Sequence, residues 1–319
     1  MLHGAFTNGR YTSTVLIVLS MLVFAASCWL PLSAAAVAQP AVPSIMSGAV
    51  SHLLTALLYL LSAVVLSRQS FFDSNVRWKG ALYLWFASLS TFVSGDVAMA
   101  FAALLFQLSF VLLLSAQLSA EPTGPLYTSF MLLGVQAFIT PCSLWFIPLS
   151  LLFCSITNIL SVRGAAASLL GLLTPFWLVM GTAYVFPGVG AVTESFLAGL
   201  PAIFDVELPA FSLLNILLLI FVLVVLLPAA MVFVGSPSPA KPLLRRRLSF
   251  VAVACVYLLI LSFVVGGAAH YFYICQLPFV AILASYLLAR NETRLLNVYF
   301  VVLNILVSAI ATYALWWNN

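Results

Sequence analysis

The run LLNILLLIFVLVVLLPAAMVFV, residues 213–234, contains no charged side chain. A water-soluble fold has interior for one or two such runs, but this chain carries them almost end to end. A bilayer hydrocarbon core of about 30 Å is crossed by roughly 20 helical residues, and a helix satisfies its own backbone donors and acceptors where water cannot. A transmembrane barrel would show short segments that alternate apolar and polar residues, and the sequence lacks that alternation. Of the 319 residues 65% are hydrophobic and 6% charged, with a mean hydropathy of +1.22. The expected fold class is therefore all-α: a polytopic transmembrane helix bundle forming a single integral membrane domain over 1–319.

Charges, prolines and glycines divide the chain into candidate spans near 12–34, 45–67, 80–94, 97–117, 124–139, 142–161, 164–186, 209–233, 248–267, 270–289 and 295–317. This gives about eleven crossings of helical length, fewer by one or two if the short third and fifth do not cross. The longest connections, 187–208 and 234–247, leave no room for a soluble domain.

With the amino terminus inside, the inner segments hold Arg10, then Arg68, Arg77 and Lys79, then Arg163, then Lys241 and Arg245 to Arg247, then Arg290 and Arg294. The outer segments hold Asp96, Glu194, Asp205 and Glu207 and no basic residue. That is the asymmetry of the positive-inside rule, and it puts the carboxyl terminus outside with Trp316 and Trp317 as interfacial anchors. A second reading of the start takes SAAAVAQP as a cleavage region at Ala36 to Ala38. It leaves the rest of the topology unchanged.

The net charge of +4 follows from this asymmetry and does not point to nucleic acid. Its densest cluster, KPLLRRR with Lys241, Arg245, Arg246 and Arg247, is a topological anchor, or else a contact for anionic lipid head groups or a partner. Cys28, Cys142, Cys154, Cys255 and Cys275 form no CxxC pair and read as apolar packing residues. No metal or other cofactor motif is present, and none is expected.

Intramembrane charges are functional candidates by default, yet every carboxylate falls in or near a connection. The mid-span polar residues His52, Gln107, Asn158, Asn215, Gln276 and Asn304 read first as interhelical hydrogen-bonding groups. Pro148, Pro175, Pro228 and Pro278 each remove a backbone donor and permit a kink. GAAASLLG, with Ala167 and Gly171 four apart, offers a small-residue face for close packing.

In the outer connection 187–208, Val192, Phe196, Leu197, Leu200, Ile203 and Phe204 recur at helical intervals. This predicts a short interfacial helix kinked by Gly199 and Pro201. Glu194 and Asp205 would face water or a cavity, as solvated carboxylates or as a base or cation ligand. In GGAAHYFYICQLPF, His270 opens the tenth span, and Tyr273 and Gln276 follow at three-residue intervals on the same face. His270 is an interfacial histidine or part of a site with the acidic connection.

The segments SLWFIPLSLLFCSITN, RGAAASLLGLLTPFWLVMG and HYFYICQLPFVAILASYLL resemble a family of uncharacterised polytopic inner-membrane proteins of the Bacteroidetes. The general plan is similar to that of lipid-linked glycan polymerases, ligases and C-type glycosyltransferases. The first outer connection, AAAVAQPAVP, lacks the acidic residues of the glycosyltransferases, and the outer face lacks the basic residues of the polymerases and ligases.

The family carries over no reaction; the leading expectation from the residues is a bacterial inner-membrane protein handling a lipid-linked or hydrophobic envelope precursor, with His270, Tyr273, Gln276, Glu194 and Asp205 as candidate outer-leaflet contacts. Bond chemistry is not required; if present, it would be transfer of a glycosyl or lipid-linked group. Two alternatives stay open: a transporter or flippase, and a noncatalytic subunit of an envelope complex. Membrane lipids are expected partners in each case.

Overall fold

The computed structural model describes residues 42–68, 79–87, 96–203, 213–235, 242–265 and 268–290, with Tyr299 and scattered residues between 302 and 310. The predicted first span 12–34, the region of Ala36 to Ala38, and Lys241, Phe204, Asp205, Glu207 and Asn304 lie outside the described residues, as does the side chain of Asn215. Every regular element among the described residues is helical: α1 (Val42–Arg68), α2 (Lys79–Ala87), α3 (Val97–Ala116), α4 (Thr123–Ile139), a 3-10 turn (Pro141–Trp145), α5 (Phe146–Ile156), α6 (Val162–Val185), α7 (Pro187–Gly199), a second 3-10 turn (Pro201–Ile203), α8 (Leu213–Gly235), α9 (Pro242–Val264) and α10 (Ala269–Arg290).

Among the described residues five stretches are long and apolar enough to cross a membrane: Val50–Arg68, Val97–Ala116, Val162–Val185, Leu244–Val264 and Ala269–Leu287. Pro141–Ile156 and Ile216–Met231 are apolar but shorter.

Helix ends follow local chemistry. Ser161 caps α6, its hydroxyl accepting from the Gly164 N–H at 3.0 Å, which supplies one of the unsatisfied first-turn donors with a partner. Pro148 falls in the first turn of α5, where no intrahelical donor is needed, so it breaks nothing. Asn158, predicted as a mid-span polar group, instead stands exposed just past the end of α5 with φ 57°. The Ile159 N–H returns to the Cys154 carbonyl at 3.1 Å and the Asn158 N–H to Ser155 at 3.1 Å. This is a Schellman stop, and asparagine tolerates its left-handed residue.

The chain divides into two compact units. The first comprises Met1–Ala100, Ala210–Leu259 and Gln276–Asn319. Within it α2 lies close on α1: a Cβ on Gly80 would come 2.7 Å from the Ala63 carbonyl oxygen. Tyr59 and Tyr83 meet with ring centroids 6.3 Å apart, and Phe86 of α2 meets Phe221 of α8 edge to face at 5.0 Å.

The second unit comprises Phe101–Pro209 and Ile260–Cys275. Here α3 and α4 run antiparallel. Near one end Gln136 bonds Ala102, and further along Ser109 and Ser129 clasp with their hydroxyl oxygens 2.8 Å apart. Helices α4 and α6 run parallel and touch through their backbones. A Cβ on Gly134 would lie 2.6 Å from the Leu172 carbonyl oxygen, and one on Gly171 2.2 Å from that of Tyr127. The small face of α6 is Gly164, Ser168, Gly171 and Pro175, all buried. Gly171 takes its predicted part, but Ala167 sits beside this face, half-buried. The remaining surface of α6 is bulky and exposed, with Trp177 at 75% and Tyr184 at 94% exposure. The close contact is made by small residues and the largest side chains face outward, as expected where hydrocarbon covers the outer face.

Candidate functional site

The predicted connection 187–208 does contain a helix, α7, and the chain breaks as expected at Gly199 and Pro201 into the second 3-10 turn. Its anchor is Phe196, buried against Phe138 at 5.1 Å and Phe176 at 5.4 Å between ring centroids. Gly199 lies so close to Pro141 that a Cβ would come 2.8 Å from the ring. The Trp145 indole N–H donates to the Ile203 carbonyl at 3.2 Å. Together these contacts seat α7 and its following turn on the α4–α5 corner. Val192 and Leu197 remain exposed, as does Glu194.

The stripe predicted on α10 is divided. His270 is exposed and Tyr273 is buried. Gln276 is fully buried in the first unit, where its amide donates to the Cys255 carbonyl of α9 at 2.8 Å. That is the interhelical role expected by default for a mid-span glutamine. Of the basic patch, Arg245 and Arg246 are exposed on the first turns of α9, while Arg247 is buried. One residue of helical advance turns a side chain by roughly 100°, so the third arginine lays its stem inward where its neighbours reach outward. Cys142, Cys154, Cys255 and Cys275 are free and buried. No group of three or more His, Cys, Asp or Glu placed to hold a metal ion occurs among the described residues.

A different set of polar residues converges in the second unit. Gln136, fully buried one turn before the end of α4, donates through its amide nitrogen to the Ala102 carbonyl of α3 at 2.7 Å and to the Tyr271 hydroxyl of α10. Both amide hydrogens are thereby used, which fixes the orientation of the group. Cys275, one turn further along α10, and Cys142, in the first 3-10 turn, are buried free thiols. Ser143, next to Cys142, is buried as well.

Aromatic rings wall the cluster. Phe146 stacks on Phe106 at 4.0 Å and meets Tyr271 at 5.7 Å and Phe272 at 5.8 Å. Two atoms are left over: Gln136 Oε1 and Ser143 Oγ are buried without a hydrogen-bond partner.

Sequence reasoning passed over Gln136, Tyr271 and Ser143. The available signal was a glutamine in the apolar second half of α4, four residues ahead of the sequence TPCS. The cluster has no charged member, so the chemistry open to it is hydrogen bonding to a neutral group. Buried beside aromatic rings, such bonds count for more than in water.

Comparison with protein-family models, with curated proteins and with solved structures finds no match.

Proposed function

We propose that this chain is a multi-pass protein of a bacterial inner membrane that handles a lipid-linked or hydrophobic cell-envelope precursor at the outer leaflet. The observation that carries this reading is the neutral pair Gln136 and Tyr271, buried beside aromatic rings in the second unit, with buried Ser143 in the turn that follows α4. With the amino terminus inside, the positive-inside asymmetry assigns this end of α3, α4 and α10 to the outer side. The bulky exposed surface of α6 suits acyl chains, and exposed His270 and Glu194 belong to the same compact unit as the cluster. The reading is tested by mass spectrometry of lipid-linked envelope intermediates in a host with and without the chain. Precursor handling requires an intermediate to accumulate in its absence, and an unchanged profile removes the reading.

A second reading, a noncatalytic subunit of an envelope complex, draws on the use of Ser109, Ser129 and Gln276 in helix-to-helix bonds. A fixed partner that co-purifies in mild detergent would favour it over precursor handling by the chain alone.

A further inference from the structure

We propose that the cluster around Gln136 binds the hydroxyl-bearing, uncharged head of a lipid. Gln136 spends both amide hydrogens on the Ala102 carbonyl and the Tyr271 hydroxyl, so its carbonyl oxygen is held in place and can only accept. That oxygen is buried and has no partner, and the same is true of the Ser143 hydroxyl in the adjoining turn. A buried acceptor in apolar surroundings calls for a donor.

The donor must be neutral. No charged side chain belongs to the cluster, and an ion there would lose its hydration without a counter-charge. The surroundings then select what the hydroxyl is attached to. Phe106, Phe146 and Phe272 line the cluster, and α6 in the same unit presents a bulky apolar outer face. A single hydroxyl on a long apolar chain matches both features. A phosphate, if the lipid carries one, stays outside the cluster. This deepens the reading given above by naming the chemistry of the bound head.

The test uses the full chain in nanodiscs with two photoactivatable probes, a diazirine-bearing hexadecanol and its methyl ether, which has the same chain but cannot donate. The alcohol should label peptides covering 136–146 and 271–279 about tenfold more than the ether, the ratio expected for one unmade buried hydrogen bond. Gln136→Met should reduce alcohol labelling to the level of the ether, while Thr128→Val, whose hydroxyl bonds only the carbonyl of Gly124 on its own helix, should leave it unchanged. Should Gln136→Met fail to fold, Ser143→Ala and the alcohol-to-ether ratio of the unaltered chain still decide the matter.

Equal labelling by alcohol and ether overturns the proposal, as does labelling by neither, which would leave the two oxygens to water. Alcohol-selective labelling with an unchanged lipid-intermediate profile would uphold the site and remove precursor handling. The reverse pair of results would do the opposite.

Discussion

Gln136 of α4 donates an amide hydrogen to the hydroxyl of Tyr271 on α10, joining two helices separated by more than a hundred residues of chain. With the bond from Gln136 to Ala102 on α3, one side chain ties three helices of the second unit together. A polar side chain with both donors engaged in an apolar interior is costly to replace, because its partners stay behind. Gln136→Leu leaves the Tyr271 hydroxyl and the Ala102 carbonyl to find other partners, and we expect a loss of about 1–3 kcal/mol. Thermal unfolding of the purified protein in mild detergent measures it, and an unchanged midpoint would show that the bond contributes nothing.

The closest backbone approach gives a sharper contrast. A Cβ on Gly171 would stand 2.2 Å from the Tyr127 carbonyl oxygen, whereas one on Gly181 meets nothing within 4 Å. Gly171→Ala should force α4 and α6 apart at a cost of about 1–3 kcal/mol. Gly181→Ala should be neutral or stabilise by up to about 1 kcal/mol through helix propensity. Equal effects of the two changes would mean that α4 and α6 do not pack in this register.

Ser109 and Ser129 offer a coupling test. Each hydroxyl lies within reach of the other hydroxyl and of the other residue's carbonyl, at 2.8 to 3.0 Å. In a double-mutant cycle to alanine the coupling should be about 0.6 kcal/mol, the scale measured for hydrogen bonds between membrane helices. Strictly additive losses would show that the clasp is not formed.

His270 and Glu194 belong to the functional reading. Both are exposed, so alanine at either site should leave stability within about 0.5 kcal/mol of the unaltered chain. If they contact the precursor, either change should abolish complementation of a deletion strain. Full complementation by both variants would withdraw them from the site.

Much of the architecture was legible because charge and proline mark where helices stop. The spans at 97–117, 124–139 and 164–186 coincide with α3, α4 and α6 to within a few residues. The break of α7 at Gly199 was legible from glycine and proline chemistry. What stayed hidden was which face of each helix meets a neighbour. In a helix covered partly by hydrocarbon and partly by protein both faces are apolar, so the amphipathic signal that orients a helix in a soluble fold is missing. For this reason the spacing in GAAASLLG points to Ala167, while it is Ser168 that is turned fully inward.

The same ambiguity shaped the site. Tyr273 and Gln276 extended a polar stripe from His270, but Gln276 serves a bond to α9 while Tyr271, two residues before Tyr273, meets Gln136. A bond between residues 135 positions apart leaves no trace in local spacing. Asn158 was misplaced for a related reason. A polar residue between apolar runs reads as buried glue or as a helix stop, and only its left-handed φ of 57° decides between them.

The most direct measurement is of the lipid that travels with the chain. The protein would be extracted from its host membrane in polymer-bounded native discs, and the co-extracted lipids identified by mass spectrometry against bulk membrane. Enrichment of a lipid-linked, hydroxyl-bearing precursor that Gln136→Met removes is the expected result. A disc composition indistinguishable from the bulk membrane, the same for both proteins, would contradict precursor handling.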